Sequence, residues 1–332
     1  MRRVGSLAIT LLLLAVPAVA QTVEKVTAAG QLDCATVTGQ EDWNGEDPHG
    51  DLSGLGREIC RAVAVAILGP DAKVALHEVP AEPEAVQALT DGAVELAVGL
   101  STATATAMRY GITFGPPVFW DSQRVLVSAR SGIASLADLR DQLVCAPVIG
   151  PAERTLRDAM TARGIPYGLQ AHSELGELDA SVAVRRCAAG SELESRLAQG
   201  RAEFPAAAGP FVFLPDRLTL DPVAPAYRDG DRRFDLIVSA TISALIEAEA
   251  LGITQANVGA PHPGMRADRL LGRDIATGEA LGLPRDWAAH VIAATGNYGE
   301  IFARTVGQTL HLERGLNALW TQGGLMRPLP LQ

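Results

Sequence analysis

The feature that most constrains this chain is an alternation of short apolar runs with helical segments, sustained from end to end without an internal repeat. Residues 32–37 read as a strand. Residues 57–68 read as a helix, with Ile59, Val63 and Ile67 on one face and Gly69-Pro70 as its stop. A strand at 74–76, a helix at 84–89 and a strand at 94–98 follow. Gly115-Pro116-Pro117 breaks the chain, and 123–129 alternates as a strand able to leave the first half. Next come a capped helix at 135–139, a strand at 143–146, a helix at 153–162 stopped by Gly164, and a strand at 211–214. Segments 173–178 and 191–197 read as helix or loop. Residues 234–251 form a long amphipathic helix with Leu236, Ile237, Ala240, Leu245 and Ala248 on its apolar side and Glu247 and Glu249 on its polar side. Residues 286–304 read as another helix, 316–321 as part of a third, and the Pro-rich end at 328–332 as a frayed tail. Strands alternating with helices predict an α/β fold.

The N-terminus carries Arg2 and Arg3, an apolar run over 7–19 and the small-residue stretch Ala18-Val19-Ala20. This is the order of a secretory leader, with cleavage expected after Ala20. The run is short of the roughly 20 residues that a membrane span needs, and no cysteine follows it to carry a lipid. The remaining chain is too long for one core, so two lobes are expected. A net charge of -10 and a pI near 5.1 argue against nucleic acid, which needs a concentrated basic face. They suit a soluble, exported protein.

The four cysteines, Cys34, Cys60, Cys145 and Cys187, permit three pairings. Cys34–Cys60 with Cys145–Cys187 keeps each bridge inside one lobe. Metal binding is a rival use, but no Cys-x-x-Cys and no close Cys/His pair is present in the sequence. Free thiols are the remaining alternative. Enzyme signatures are missing: neither Gly-x-Ser-x-Gly nor His-Glu-x-x-His occurs, and the six histidines form no recognisable set. Gly54-Leu55-Gly56 lacks the third glycine of a dinucleotide loop and the lysine of a phosphate loop, so no cofactor is expected.

The C-terminal third is the most specific stretch. It contains Leu251-Gly252-Ile253-Thr254-Gln255-Ala256-Asn257-Val258, then Gly296-Asn297-Tyr298-Gly299-Glu300-Ile301-Phe302, then Glu313-Arg314-Gly315-Leu316-Asn317-Ala318-Leu319-Trp320. With 56–68, Asp138-Leu139, Val144-Cys145 and 228–238, these runs resemble the general L-amino-acid-binding proteins that serve ABC importers, within the family 3 extracellular solute-binding proteins. The resemblance implies a two-lobed periplasmic binding protein fold with two hinge-crossing strands. Lobe 1 would hold 21–128 and 239–332, and lobe 2 the insert 129–238. It further implies a periplasmic monomer that closes on a small solute and is then recognised by an ABC permease in the inner membrane, with no covalent chemistry.

A free amino acid must have its carboxylate and ammonium paired as both leave water. The family does this with an Arg after a Thr-rich turn, hydroxyls and backbone N–H groups at a helix start, and an acidic residue. Here the turn 101–109 offers Thr102, Thr104 and Arg109, yet in gap-free register the family Arg falls on Ala107. The family's Thr-Gly-Thr-Thr run is replaced by 148–153, which leaves the backbone of Gly150 and Ala152 as donors and adds Glu153. The family Asp falls on Leu193, flanked by Glu192 and Glu194. Trp43 stands where the family often has an aromatic over its ligand. Each of these residues also has a plainer reading: a solvated Arg109, a simple helix cap at 150–152, a solvated glutamate pair, and a Trp that covers a lobe edge. All three contact regions depart while the frame matches, which points to a changed ligand or a lost one. A repurposed sensor or scaffold is the alternative to a transport receptor.

Overall fold

The computed structural model describes residues 22–37, 54–79, 81–148, 150–274 and 277–331. The expected leader and Trp43 lie outside them. The chain opens with helix α1 (Thr22–Ala29), which buries Val23 and Val26 and bonds its first amide to the Asp231 carboxylate at 2.7 Å. Strand β1 (Gln31–Val37), α2 (Leu55–Leu68), β2 (Lys73–Val79), α3 (Glu82–Thr90), β3 (Leu96–Ser101), α4 (Thr104–Tyr110), β4 (Ile112–Phe114) and β5 (Phe119–Asp121) follow. Then come β6 (Gln123–Ser128), a 3₁₀ turn at Leu136–Leu139, β7 (Leu143–Pro147), α5 (Ala152–Ala162), β8 (Gly168–His172), α6 (Leu175–Ala183), β9 (Ala189–Leu193), α7 (Glu194–Ala202) and β10 (Phe211–Phe213). The chain ends with β11 (Asp221–Arg228), α8 (Arg232–Ala250), α9 (Met265–Leu270), α10 (Thr277–Leu281), α11 (Trp287–Thr295) and α12 (Tyr298–Phe302).

Two sheets result. The first runs β2-β1-β3-β11-β4 with β5 also on β11, and the second runs β10-β6-β9-β7-β8. β1 pairs in parallel with β2 and β3, and β7 with β8 and β9, so the carboxyl ends of neighbouring strands gather on one edge of each sheet. The chain passes from the first sheet to the second at Ser122, between β5 and β6, and returns at 219–220, ahead of β11. Strand 123–128, counted with the first lobe from sequence, is therefore part of the second sheet, antiparallel to β9 and β10. Strand 221–228, counted with the second, joins the first sheet.

Both expected disulfides are formed, Cys34–Cys60 from β1 to α2 and Cys145–Cys187 from β7 to the residue after the α6 turn. The main core packs α2, α8, α11 and α12 against the first sheet through Ile59, Val63, Leu96, Ile237, Ile242, Val291 and Phe302. The buried face of α8 is Phe234, Ile237, Val238, Thr241, Ile242, Leu245 and Ala248, whereas Leu236 is exposed. The expected apolar side is thus off by part of a turn. The expected helix over 286–304 is broken at Gly296 (φ 72), where Asn297 and Glu300 form a capping box that restarts the chain as α12. Segment 316–321 is no helix: it joins two short 3₁₀ turns, Gly315–Asn317 and Trp320–Gln322, through extended residues. Among the described residues no helix is long and apolar enough to cross a membrane.

Candidate functional site

In open α/β sheets ligands bind outside the carboxyl ends of the strands. Here those ends come from β1 and β3 in one sheet and from β7 and β9 in the other, on either side of the two crossings. Several residues expected to bind ligand are tied to the crossings themselves. Thr102, just past β3, donates both its amide (3.0 Å) and its hydroxyl (3.1 Å) to the carbonyl of Pro222 at the start of β11. Ala152, first residue of α5, accepts at its carbonyl from Gln123 Nε2 (2.7 Å), which also donates to Ser191 Oγ (2.9 Å). Gly150 is exposed at φ 96, a conformation that favours glycine. Glu153 pairs with Arg157 one turn along α5.

The two glutamates differ in kind. Segment 191–193, read as helix or loop, is the end of the central strand β9, because pairing with β6 and β7 outweighs the local preference of small and polar residues. Gly190 is small because Val182 would lie 2.8 Å from any Cβ there. Glu192 is half-buried on β9 beside Arg124, and its Oε1 accepts from the next amide, that of Leu193, at 2.9 Å. Burial pushes its carboxyl above the usual range, and Asp221 adds to this, while the Leu193 amide and Arg196 oppose it. Glu194, first residue of α7, already binds Arg124 and, at 2.7 Å, Arg217. Arg217 donates as well to Ser122 Oγ at 2.6 Å. Glu194 is spent within the protein, whereas Glu192 forms no ion pair among the described residues.

The turn holding Thr104 and Arg109 is helix α4, which buries none of its residues. Thr104 opens it and is exposed. Arg109, in its last turn, stacks over Tyr110 at 5.7 Å and has no other partner among the described residues. Five residues of helix set Thr104 and Arg109 about 7.5 Å apart along the axis, so the structure does not bring Arg109 onto the crossings as it does Thr102 and Ala152.

Sequence reading misses the crossing itself. Asp121, at the end of β5, is 2 % exposed and accepts from Ser122 N (2.8 Å), Ser195 N (3.4 Å) and Ser195 Oγ (2.5 Å). Burial raises its pKa to about 6 against these hydrogen bonds. Asp121 thereby fastens the first sheet to the start of α7 under the second. The family-like C-terminal runs brace the same place. Asn317 holds Trp120 of β5 by both backbone groups (2.7 and 3.1 Å), and Tyr298 holds the Val118 carbonyl (2.9 Å). Arg314 lies over the rings of Tyr298 and Phe302 and pairs with Glu249 at 2.9 Å. No signal in the sequence pairs Glu194 with Arg217 or Asp121 with Ser195, because each contact is made only by the crossing. Two further grooves lie elsewhere: one of about 320 Å³ between α8, α9 and the C-terminal tail, and one of about 450 Å³ beside β8 and α6.

Two sheets joined by two chain crossings are the frame expected of a two-lobed solute receptor, and comparison with known proteins agrees. No protein-family model matches the chain. It is 34% identical over 94% of its length to the General L-amino acid-binding periplasmic protein AapJ of Rhizobium johnstonii, spanning 93% of that protein. It is 34% identical over 99% of its length to the Glutamate/glutamine/aspartate/asparagine-binding protein BztA of Rhodobacter capsulatus, spanning 98% of it. Among solved structures, an ABC transporter periplasmic binding protein from Brucella ovis with glutathione bound superposes with a TM-score of 0.79 at 32% identity, covering 94% of this chain and all (100%) of that one. The chain belongs to the periplasmic amino-acid-binding proteins of ABC transporters, the family 3 solute-binding proteins. It is a solute-binding receptor, and this family membership does not favour the sensor or scaffold reading.

Proposed function

We propose that this receptor takes a small solute bearing a free amino and carboxyl group, an amino acid or a short peptide of glutathione's kind, and delivers it to an ABC permease without transforming it. The observation that carries the proposal is the division of labour between the paired carboxylates at the end of β9. Glu194 is neutralised by Arg124 and Arg217, whereas Glu192 is half-buried, has no ion-pair partner among the described residues and stands beside the crossings. A half-buried carboxylate without an ion-pair partner is placed to take one, and a ligand ammonium supplies it. Across the crevice, Arg109 has no acidic partner among the described residues and is the group for the ligand carboxylate, reached as the lobes close. Thr102, Thr104, Gly150 and Ala152 line the proposed path between them, and Trp43 is assigned to the ligand on the family resemblance. The lobes are taken as 22–121 with 221–331, and 123–218, in line with sheet membership. Export with cleavage after Ala20, a periplasmic site of action and a monomeric state complete the proposal.

The test is a set of thermal melts of residues 21–332, freed of copurified ligand by refolding, against the twenty amino acids, glutathione and other small peptides. A ligand at 100 times its dissociation constant adds about 2.7 kcal/mol, a rise of several degrees. Glu192→Gln and Arg109→Ala should each abolish the rise while leaving the unliganded melt in place. A rise that survives both substitutions overturns the assignment, and no rise with any of these solutes overturns the ligand class.

A further inference from the structure

Cys145, Cys187 and His172 meet near the β8 edge of the second sheet, although 27 residues separate Cys145 from His172. One ligand atom from each, two Sγ and one imidazole nitrogen, lie within 4.8 Å of one another, and all three residues are buried. His172 Nε2 sits 3.2 Å from Cys145 Sγ. A disulfide sulfur carries no proton, so this contact is not an S–H donation. Gln170 Nε2, an amide donor, lies 3.1 Å from the same ring nitrogen. That donor fixes Nε2 as the acceptor and places the ring proton on Nδ1, which faces Glu177 at 3.7 Å. That lone pair lies 3.2 Å from Cys145 Sγ and would have to leave Gln170 to bind a cation between the sulfurs, while a carboxylate stands behind the ring, as second carboxylates do behind metal-bound histidines.

We propose that reduction of the Cys145–Cys187 disulfide turns this cluster into a Cys₂His site for a thiophilic divalent cation of the zinc type. A dithiol supplies the electrons: its thiolates attack in turn, the S–S bond breaks, a cyclic disulfide leaves, and two protons end on Cys145 and Cys187. The cation then displaces both protons and binds two thiolates and the Nε2 lone pair. Tetrahedral zinc at about 2.3 Å from sulfur needs the sulfurs about 3.8 Å apart, which small side-chain rotations from a Cα separation of 5.7 Å deliver. A groove of about 450 Å³ lined by Gln170, His172, Glu177, Ser181, Val184 and Arg186 adjoins the cluster at His172. Arg185, two residues before Cys187, stands at φ 59, a left-handed conformation that is disfavoured in a residue with a side chain. The site shares no residue with the proposed solute site.

The test uses the full exported chain, reduced with a phosphine, desalted without oxygen and titrated with Co²⁺ in place of Zn²⁺. One equivalent should give thiolate-to-cobalt charge-transfer bands and the strong visible bands of tetrahedral cobalt, with native circular dichroism retained. Cys145→Ser/Cys187→Ser should lose these bands although Cys34 and Cys60 remain. His172→Ala should weaken binding at least tenfold, and the oxidised protein should show no bands. Bands that persist in the double-serine variant, an affinity unchanged by His172→Ala, or a reduced chain that Co²⁺ does not hold folded would each overturn the proposal. Solute melts of the oxidised protein are unaffected in every case.

Discussion

Asp121 is the buried group whose titration is most open to measurement. Its carboxyl is raised from 3.8 to about 6 by burial, with the hydrogen bonds from Ser195 and Ser122 opposing. An acid with a raised folded-state pKa binds more protons folded than unfolded, so it costs stability as pH rises from about 4 through 6. Well below 3.8 both states are protonated and the cost is nil. Above about 6 both are ionised and the cost is complete, about 3 kcal/mol for a shift of about two units. The carboxamide introduced by Asp121→Asn does not titrate. Its Oδ1 can still accept from Ser122 N, and its NH₂ can donate to Ser195 Oγ. The stability of Asp121→Asn relative to wild type should therefore improve by about 2.5 kcal/mol between pH 4 and pH 7, whatever its offset at pH 4. Taking the difference cancels most other carboxylates. Urea unfolding followed by circular dichroism at half-unit pH steps measures it. A flat difference, or one that slopes the other way, refutes the account of Asp121 as a desolvated acid held at the crossing.

Other outcomes follow from single contacts. Losing the bridge by Cys145→Ala/Cys187→Ala, with a sequence separation of 42, should cost about 4 kcal/mol, and Cys34→Ala/Cys60→Ala, with 26, about 3.5 kcal/mol, in the chain-entropy account. Denaturant unfolding of each variant checks both the sizes and their order. Asn317→Ala frees both backbone groups of Trp120 and should cost about 1–3 kcal/mol, whereas Trp320→Ala at the exposed neighbouring turn should change stability by less than about 0.5 kcal/mol. Gly190→Ala drives a methyl into Val182 and should cost about 1–3 kcal/mol by the same measurement. If Glu192 holds a ligand ammonium, affinity should fall on acidification, beginning at a higher pH than for an ordinary glutamate because its carboxyl is raised; titration calorimetry from pH 7 downward reads this out.

The frame is legible in the sequence wherever one periodicity dominates. β1, α2, α3, α5 and α8 lie within a few residues of where apolar spacing puts them. The strand β11 escapes such a reading because Pro222 and Pro225 argue against a central strand, yet it sits between β3 and β4. A shift of register at Ala224/Ala226 absorbs Pro225, and the carbonyls of Pro222 and Pro225 accept from Thr102 and Gly115. β9 escapes it because small and polar residues read as a loop until two neighbouring strands are supplied. The same gap hides the site. Spacing shows that Glu192 and Glu194 flank one position, but only the fold shows that Arg124 and Arg217, from β6 and the return crossing, neutralise one of them. His172 likewise stands alone in the sequence, since its two sulfur neighbours come from a different strand and a turn.

The central claim is a receptor that closes on a solute whose ammonium meets Glu192. Small-angle X-ray scattering of the refolded, ligand-free protein, with and without a saturating solute that raises its melting temperature, tests it most directly. The account predicts a smaller radius of gyration on addition of the solute in the wild type and no change in Glu192→Gln. An unchanged radius in the wild type, or an equal contraction in Glu192→Gln, contradicts it.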